Sequence, residues 1–453
     1  MFVVTLPPSA AKDPVAYPKR AKAAGAELIE IRGDKTPHVS AFVSELPLLL
    51  SPRGAGQAFV NRHTAAYVDL ELGEELTVPA DTKLIRSYHD HQGIPSLEEL
   101  KGLMDLLRAT GAVIHKIAVT INTYEDLQIL TAFQTSQKSD DKAVILGMGP
   151  KAHLNRLLSP IHNALTYTYL DEGEHAAPGQ IPLREYATVG HCKAPALFGL
   201  LCGMHITRSL SPLIHNTLNA QSGIDAAFTL FLADDLQDAW KHLTAMGVSG
   251  FSVTSPWKRD IVGALDDADP LVTALGSANT VIRHPGGWVG YNTDVAGFLH
   301  GYALRPRKTV AILGSGGVVP AVIEACRQAE AATITVHARN VGACEDLHDR
   351  FGVAVSGMEA LALTNPDVIV CAVTDDVSIP LLPPREGAMA IDLRYARDTK
   401  FLMDAKRLGY QTHNGLPMLI EQALEQFHLF HGYAAPPAAI STLRQRLSSS
   451  FPA

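Results

Sequence analysis

The feature that most constrains the fold of this chain is a rhythm of short apolar strands separated by amphipathic helical segments. The rhythm runs from residue 2 to about residue 190, with strands predicted at 2–6, 27–32, 66–72, 83–89, 115–121 and 142–148. Between two of these strands, Ser96 and Glu99 have the spacing of a capping box, which predicts a helix over 96–110. Strands that alternate with helices form a parallel sheet with crossover helices. We therefore expect a parallel sheet with crossover helices. About 190 residues is short for a (β/α)8 TIM barrel, so a barrel of this kind would need trimmed helices or loops.

The same rhythm restarts near residue 190 and predicts a second α/β region. Its strands are predicted within 250–258, 309–317, 333–339, 367–373 and 388–393. The segment 301–308 is basic and rich in turn residues, so we expect it to separate this region into two units. With 453 residues, the chain has the length of about three folding units.

Composition and charge exclude several classes of protein. Apolar residues make up 47% of the chain, which is enough for sizeable cores and too many for a disordered protein. The formal charge of −8 argues against nucleic-acid partners, whose phosphates attract basic surfaces. No apolar run reaches the ~18 residues of a membrane span, and the N-terminus lacks the basic segment of a signal peptide. We expect a cytoplasmic protein that acts on small molecules and contacts neither nucleic acid nor membranes; the sequence does not predict its oligomeric state.

Two residues at predicted strands could carry chemistry in the first region. Lys116 lies in the apolar segment HKIAVTI, where loss of hydration would lower the pKa of its amine and free it to attack a carbonyl group. His89 ends the preceding strand and could move protons beside it. Taken singly, Lys116 could instead extend its ammonium to solvent, and His89 could be a capping residue. His89 and His91 lack a third ligand at zinc-binding spacing, and the five cysteines lack CxxC spacing, so we expect free thiols and no metal site.

The wider pattern of segments resembles one enzyme family. ELIEIRGD (27–34), SYHD (87–90), HKIAV (115–119), NR (155–156) and AAPGQ (176–180) resemble type I 3-dehydroquinate dehydratase in content, order and spacing. That family is a (β/α)8 barrel that dehydrates 3-dehydroquinate through an imine on its active-site lysine. The resemblance implies Lys116 as the imine lysine and His89 as the general acid and base.

The resemblance also implies the substrate contacts of the barrel. Glu30 and Arg32 would hold substrate hydroxyl groups, and Arg53 would be a further substrate contact. Arg156 would clamp the substrate carboxylate, a task that suits the guanidinium fork. Gln180 would close a lid over the substrate.

The chain departs from that family at several positions. Ala176 stands where the family has a serine, and Asn155 replaces the serine before the arginine. The acidic E-G-G after Arg53 is absent, with Gln57 nearby. One lost hydroxyl in a buried polar site costs ~1–2 kcal/mol, which would slow the reaction without abolishing it. We expect an active dehydratase; the alternative is a barrel that has lost catalysis and serves as a scaffold.

A glycine-rich turn in the second region predicts a dinucleotide site. The apolar segment TVAIL runs into Gly314, Gly316 and Gly317 and then into a helix. Gly314 permits the tight turn, and the other two let backbone amides approach a pyrophosphate. Val319 occupies the place of the third glycine in G-x-G-x-x-G, so the motif alone is weak. Arg339 ends the next strand where an NAD enzyme usually has an acidic residue, which favours the 2′-phosphate of NADP.

Four further segments contain polar groups that could orient a substrate with several hydroxyl groups and a carboxylate. Lys258 and Asp294 could form a pair for proton transfer. The other members of this set are Ser209, Ser211, Thr254 and Asn279. Each of these residues, taken singly, could equally be a turn or a helix cap.

Residues 197–430 together resemble shikimate dehydrogenase very closely, through SLSP (209–212), SVTSPWK (252–258), SANTV (277–281), GYNTD (290–294) and HNGLPMLIEQALEQF (413–427). The resemblance implies Lys258 and Asp294 as the catalytic pair, with Lys258 as acid and base for the carbonyl group that accepts the hydride. It assigns the substrate carboxylate to Ser209 and Ser211.

The same resemblance implies further contacts. The ring hydroxyls would contact Thr254, Asn279 and Gln422, with Tyr395 as a secondary candidate. The cofactor contacts would be Gly314, Gly316, Gly317, Arg339, Asn340, Gly415 and Met418. Departures from the family pattern are Arg208 for a histidine and Ser252 for an asparagine, and the residues after Asn340 add no second cation, so the preference for NADP could be modest.

The two resemblances imply two consecutive reactions of the shikimate pathway in one chain. We predict a dehydratase barrel over 1–190 and a dehydrogenase over 191–453. The dehydrogenase would comprise an α/β substrate lobe, 191–303 with 412–445, and a Rossmann NADP lobe, 304–411. The alternatives are a quinate-preferring dehydrogenase with an inactive barrel, and a metabolite sensor without catalysis.

Overall fold

The first part of the chain folds into a nearly closed barrel of parallel strands, which confirms the predicted (β/α)8 architecture. The computed structural model describes residues 1–137, 141–206, 208–395 and 399–450. The barrel strands are β1 (Phe2–Thr5), β2 (Leu28–Arg32), β3 (Leu48–Ser51), β4 (Tyr67–Glu71), β5 (Lys83–Asp90), β6 (Ile114–Thr120), β7 (Ala143–Met148) and β8 (Thr166–Thr168). Their hydrogen-bonded order is β7-β6-β5-β4-β3-β2-β1-β8, so β7 and β8 lie at the two ends of the pairing.

The helices around the barrel are short, as the length of the region predicted. They are α1 (Ala16–Ala23), α2 (Gln57–Arg62), α3 (Leu97–Ala109), α4 (Tyr124–Thr135), α5 (His153–Leu157), α6 (Ser159–His162) and α7 (Leu183–Tyr186). Four of them have only 4 to 6 residues. The predicted capping box is present at α3, where the Ser96 hydroxyl accepts from the Glu99 amide and the Glu99 carboxylate accepts from the Ser96 amide.

Two barrel strands, β3 and β8, were not predicted from the sequence. Strand β3 has four buried residues, three leucines followed by Ser51, without alternation, and β8 is the three-residue segment Thr166–Thr168. Segments this short carry neither a period nor enough apolar residues to be told from a loop. Tertiary pairing with β2, β4 and β1 determines their strand conformation.

Contacts divide the chain into two units, Met1–Asn216 with Ile224–Val248, and Thr217–Gly223 with Ser249–Ala453. Besides the barrel, the first unit contains β9 (Ala196–Gly203), the start of α8 (Ser211–Gln221), β10 (Ala226–Ala233) and α9 (Leu236–Ala245). Within this unit, the Tyr124 hydroxyl donates to the Leu232 carbonyl at 3.1 Å, and Lys151 pairs with Asp234 at 2.6 Å. The sequence places a boundary near residue 190, where the strand–helix rhythm restarts, and this boundary stays a prediction.

The second unit begins with a small sheet and two closely packed helices. Its first strands and helices are β11 (Val248–Val253), β12 (Asp267–Ala268), α10 (Pro270–Leu275), β13 (Thr280–His284), β14 (Gly287–Tyr291) and α11 (Asp294–Gly301). At the C-terminal end of the chain, α15 (Leu416–His431) packs against α11, and α16 (Pro437–Ser450) follows. A side chain at Gly297 of α11 would come within 2.6 Å of Gln422 Cβ, so this glycine permits the close packing that places Gln422.

The remainder of the second unit confirms the predicted Rossmann lobe. Its elements are β15 (Thr309–Leu313), α12 (Val319–Gln328), β16 (Thr333–Ala338), α13 (Glu345–Phe351), β17 (Ala354–Gly357), β18 (Val368–Cys371), β19 (Met389–Asp392), α14 (Lys400–Leu408) and β20 (Gln411–His413). All six strands are parallel, in the order β17-β16-β15-β18-β19-β20. Numbered within the lobe this is 3-2-1-4-5-6, the dinucleotide-binding order, whose direction reverses between β15 and β18. In the described ranges, no helix combines the length and the apolar character needed to cross a membrane.

Candidate active sites

One layer of the barrel interior is polar. Each even-numbered strand contributes one inward-facing residue to it: Glu30, Asp69, Lys116 and Tyr167, all buried. Two positions earlier along the chain the residues are Leu28, Tyr67, Ile114 and Leu165, the last directly before β8. Leu28, Ile114 and Leu165 belong to an apolar cluster, and Tyr67 packs against it. Because side chains repeat every second residue along a strand, and alternate strands of a TIM barrel fill one layer, the interior changes from apolar to polar within a single step. The polar layer therefore forms the floor of a cavity at the carboxyl ends of the strands.

The cavity above this floor measures about 490 Å³. Its wall includes every residue that the sequence predicted for the barrel site: Glu30, Arg32, Arg53, His89, Lys116, Arg156 and Gln180. It also includes residues that were not predicted as site residues, among them Lys35, Glu71, His91 and Tyr167. The structure thus places the predicted barrel residues in one site, while their individual roles stay predictions.

Lys116 is buried, and its ammonium lies between a carboxylate and an aromatic ring. Its Nζ donates to Asp69 Oδ2 at 2.9 Å and lies 4.3 Å from the centroid of the Tyr167 ring. Burial lowers the pKa of Lys116, although Asp69 opposes the shift. Burial alone would raise the pKa of Asp69, but Lys116 and Arg53 outweigh it and hold that pKa below its ordinary range. A buried amine with a lowered pKa and an ionised neighbour that can take its charge has the properties of a carbonyl nucleophile.

Glu71 orients His89. The Glu71 carboxylate accepts a hydrogen bond from the His89 backbone amide at 2.8 Å and lies 2.7 Å from His89 Nδ1. This contact assigns the ring proton to Nδ1 and directs proton exchange to Nε2. Burial lowers the pKa of His89, and Lys116 lowers it further, so the ring is neutral at pH 7 and can accept a proton.

Arg53 joins the two carboxylates of β4. Its guanidinium donates to Asp69 at 2.7 Å and to Glu71 at 3.1 Å. Its backbone has a φ of +48°, a conformation that costs energy for a residue other than glycine and that is common at functional sites. The sequence predicted Arg53 as a substrate contact, and the structure shows in addition that it connects Lys116 to His89 through Asp69 and Glu71.

Arg156 is a buried cation that faces the cavity. Its Nε donates to the Gly147 carbonyl at 2.6 Å, and among the described residues no carboxylate pairs with it. Burial lowers the pKa of Arg156 to about 10, so it is still charged at pH 7. Because an uncompensated buried charge is costly, such a position favours an anionic ligand. Arg32, in contrast, already pairs with Asp34 through two hydrogen bonds of 3.0 and 2.9 Å.

Ala176 and Asn155, at which the barrel departs from the pattern of type I 3-dehydroquinate dehydratase, have different surroundings. Ala176 lies in the cavity wall, and its backbone amide donates to Gln180 Oε1 at 2.7 Å. Gln180 is therefore held by its own loop rather than extended across the cavity. Asn155 is buried, and its side chain accepts from the Gly147 amide at 2.7 Å, so it supports the end of strand β7 that Arg156 also contacts.

Among the residues of this site that were not predicted from the sequence, Asp69, Glu71 and Tyr167 contact the predicted ones. Asp69 and Glu71 are separated by one residue in the apolar strand AYVDLEL, so their side chains share the inward face; that spacing is a signal that could have found them. Tyr167 lies in a three-residue strand that was itself not predicted, and no pattern in the sequence marks it.

The second unit contains a smaller polar cluster around Asp294, at the start of α11. Lys258 Nζ donates to Asp294 Oδ2 at 2.5 Å, and Asn279 Nδ2 donates to Asp294 Oδ1 at 2.9 Å. Asn279 is held in turn by the Thr293 amide, which donates to its Oδ1 at 2.7 Å. The structure thus brings together Lys258, Asn279 and Asp294, while the role of each stays a prediction. A partly buried Lys–Asp pair whose carboxylate is held by an amide group can pass a proton to an adjacent oxygen.

The other predicted substrate contacts of the dehydrogenase lie on different elements. Thr254 directly follows β11, Gln422 is buried on α15, and Tyr395 is half-buried after β19. Ser209 and Ser211 belong to the first unit, where the Ser209 hydroxyl donates to Ser211 Oγ at 3.1 Å at the start of α8.

Two of the positions that depart from the family are already paired. Ser252 donates to buried Gln426 at 2.8 Å, so the substituted side chain is part of a hydrogen-bond network rather than of an open site. Arg208, where the family has a histidine, pairs with Glu172 at 3.1 Å, and both side chains are exposed.

The glycine-rich turn fits a dinucleotide. Gly314 has a φ of +115°, and a side chain there would lie 3.1 Å from the Ala372 carbonyl. Beside Gly316 and Gly317 the space is open, so backbone amides are accessible at the point where the strand order reverses. Arg339, directly after β16, is exposed and pairs with Asp375 at 3.1 Å.

The remaining predicted cofactor contacts have the following places. Asn340 follows Arg339 and is exposed, and Met418 is buried on α15. A side chain at Gly415 would lie 2.0 Å from the Leu393 carbonyl, so glycine is needed there for the two backbones to approach.

In the parts of the chain that the structure describes, no group of three His, Cys, Asp or Glu side chains is placed to hold a metal ion.

Three family models match successive parts of the chain. The model described as type I 3-dehydroquinase matches residues 57–192. The model of the shikimate dehydrogenase substrate binding domain matches residues 201–281. The model described as NADP oxidoreductase, coenzyme F420-dependent, matches residues 309–388 of the Rossmann lobe.

Curated relatives include proteins that combine these domains. A chloroplastic bifunctional 3-dehydroquinate dehydratase/shikimate dehydrogenase of Arabidopsis thaliana is 27% identical over 82% of this chain and 68% of its own length. A pentafunctional AROM polypeptide of Yarrowia lipolytica is 29% identical over 81% of this chain, which spans only 26% of that relative. A shikimate dehydrogenase (NADP(+)) of Bacillus cytotoxicus is 34% identical over 52% of this chain and 92% of its own length.

Solved structures resemble the second half of the chain. A crystal structure of shikimate dehydrogenase from Aquifex aeolicus matches with a TM-score of 0.51 and 28% identity, over 55% of this chain and 98% of that one. This structure covers 55% of the chain, close to the 52% that the Bacillus relative covers. The chain belongs to the shikimate dehydrogenase family, and its first part is a type I 3-dehydroquinase domain.

Proposed function

We propose that the chain catalyses two consecutive reactions on one carbocyclic acid. In the barrel, 3-dehydroquinate loses water and becomes 3-dehydroshikimate through an imine on Lys116. In the dehydrogenase, 3-dehydroshikimate is reduced to shikimate with NADPH. The observation that carries the first reaction is that one cavity holds a buried amine of lowered pKa, Lys116, and a buried cation, Arg156, that pairs with no carboxylate in the described part of the chain.

In the barrel, Lys116 binds the substrate carbon and His89 moves the protons. The neutral amine of Lys116 attacks the ketone carbon, the C–N bond forms, and the ketone oxygen leaves as water. The positive imine then makes the neighbouring C–H bond acidic, so that His89 Nε2 can remove that proton. The electron pair expels the hydroxyl group one carbon further on, which takes a proton from His89 and leaves as water. Hydrolysis of the imine restores Lys116.

The other cavity residues bind and orient the substrate. Arg156 pairs with the carboxylate, because it is the buried cation that lacks a carboxylate partner among the described residues. Arg53 keeps Asp69 and Glu71 ionised, and these in turn position Lys116 and His89. Glu30, held by Thr5 and Ser51 at 2.6 and 2.7 Å, is a rigid acceptor for a substrate hydroxyl.

In the dehydrogenase, Lys258 supplies the proton that accompanies reduction of the carbonyl group. Bound NADPH supplies the hydride. Asp294 holds the Lys258 ammonium next to the substrate, and Asn279 fixes Asp294 from the other side. The open backbone around Gly316 and Gly317 suits the pyrophosphate of the cofactor, and exposed Arg339 suits its 2′-phosphate.

We place the division between the two activities at residue 190. The match to the dehydratase model ends at residue 192 and the match to the dehydrogenase model begins at residue 201, which supports this place. Ser209 and Ser211, as carboxylate contacts of the dehydrogenase, and the cytoplasm as the compartment, are further parts of this proposal.

Replacing Lys116 with methionine should remove dehydration and leave reduction of 3-dehydroshikimate unchanged. The substitution keeps the volume of the side chain and deletes the nucleophile, so kcat for 3-dehydroquinate should fall by more than about 10³-fold. Borohydride should trap a substrate adduct on the parent chain and none on the variant, as measured by intact mass. The matched control is Lys151→Met, because Lys151 is the other buried lysine in the described part of the barrel, 6% exposed against 5%, and lies outside the cavity wall. Dehydration by Lys116→Met at the parent rate would contradict the imine assignment.

Replacing Lys258 with methionine should slow reduction of 3-dehydroshikimate by about 10²-fold or more, the usual effect of removing a general acid. Binding of NADPH, followed by its fluorescence, should be unchanged and would show that the Rossmann lobe is intact. Lys308→Met is the control, since Lys308 also pairs with an aspartate, Asp367, at 3.2 Å, and is not a predicted site residue. If the two variants lose activity equally, the assignment of Lys258 as the proton donor is wrong.

Replacing Arg339 with alanine should raise KM for NADPH about tenfold or more, with little change for NADH, because one hydrogen-bonded charge contact is lost only with the 2′-phosphate. The control is Arg407→Ala in the same lobe. Arg407 is exposed to the same extent, 75% against 77%, and also pairs with an aspartate. Equal losses with both cofactors would rule out recognition of the 2′-phosphate by Arg339.

A further inference from the structure

The floor of the barrel cavity contains one hydroxyl group that the proposed mechanism does not use. Tyr167 is buried on β8, forms part of the cavity wall, and its ring lies 4.3 Å from Lys116 Nζ. Among the described residues, nothing accepts a hydrogen bond from its hydroxyl. The other floor residues are different: Glu30 accepts two hydrogen bonds, and Lys116 is paired with Asp69.

A buried hydroxyl without a partner destabilises a folded chain, since it has lost its hydrogen bonds to water. When such a group lies at a cavity wall beside a nucleophile, a bound substrate is the natural acceptor. Burial raises the pKa of Tyr167 well above its ordinary value, and the nearby carboxylates of Asp69 and Glu30 raise it further. The hydroxyl therefore keeps its proton and acts as a hydrogen-bond donor.

The substrate oxygen nearest to the reaction of Lys116 is the ketone oxygen. The Lys116 ammonium first passes one proton to His89, and the resulting amine adds to the ketone carbon, with one amine proton moving to the oxygen. The C–O bond of this carbinolamine then breaks as the oxygen takes the proton back from His89 and leaves as water. The sum is one ammonium and one ketone converted to one iminium and one water, with no other reactant.

We propose that Tyr167 is a substrate-contacting residue whose hydroxyl donates a hydrogen bond to this oxygen, first in the ketone and then in the carbinolamine. The bond polarises the carbonyl group during attack and stabilises the oxygen until it departs. Tyr167 keeps its own proton throughout. This inference rests on the proposed dehydratase reaction and adds to it a donor for the step that forms the imine.

The test is Tyr167→Phe, which keeps the ring over Lys116 and deletes only the hydroxyl. The matched control is Tyr124→Phe, because Tyr124 is equally buried in the same unit but donates to the Leu232 carbonyl and lies outside the cavity wall. For each variant we would measure the rate at which borohydride-trapped adduct appears after rapid mixing with 3-dehydroquinate, the reduction of 3-dehydroshikimate, and the thermal unfolding midpoint.

For Tyr167→Phe we expect adduct formation to slow by about tenfold or more, as on loss of a donor to a reacting oxygen. The unfolding midpoint should stay the same or rise, and reduction should be unchanged. Tyr124→Phe should show the reverse, a lower midpoint with adduct formation at the parent rate. If Tyr167→Phe forms adduct at the parent rate, the inference is overturned while the dehydratase proposal stands. If the parent chain itself forms no adduct, the proposed function is overturned and this inference with it.

Discussion

The ion pair between Lys116 and Asp69 is the interaction on which the barrel site depends. Both groups are buried at the floor of the barrel, where an unpaired charge of either sign would be costly. Asp69 also pairs with Arg53, so one carboxylate compensates two cations. Lys116 is thereby kept in place without being fully stabilised as an ammonium, and its lowered pKa follows from that balance.

The network of charged groups around Asp69 extends from the floor to the rim of the cavity. Arg53 connects Asp69 to Glu71, and Glu71 holds His89 by its backbone and its ring. Nucleophile and base are therefore positioned by one network of charges built on β3, β4, β5 and β6. The acidic segment after Arg53 that the sequence analysis found absent is not needed for this contact, since Glu71 from the next strand supplies the carboxylate that contacts His89.

Much of this arrangement could be predicted from the sequence. Strand β7 has six buried residues in a row, and its apolar run indicates a strand. Polar residues at the ends of such strands predicted the place of the active site. The two strands that escaped prediction, β3 and β8, are too short to carry a period. Tyr167 lies on β8, and without that strand nothing in the segment Thr-Tyr-Thr indicates an inward side chain. Asp69 and Glu71 were missed for another reason, because their alternation in β4 is visible in the sequence but was not interpreted as part of a site. How Lys258, Asn279 and Asp294 contact each other depends on the tertiary fold, which brings together the segment after β11, the residue before β13 and the start of α11; spacing along the chain does not specify this.

The central claim is that both reactions proceed in one chain, and it is tested most directly by supplying purified protein with 3-dehydroquinate and NADPH. We expect NADPH to be consumed and shikimate to accumulate in equal amount, with no other enzyme present. If NADPH is consumed only when 3-dehydroshikimate is added, the barrel does not dehydrate its substrate, and the catalytic role of Lys116 and its network is contradicted. Turnover of neither compound would contradict the proposed activities of both halves of the chain.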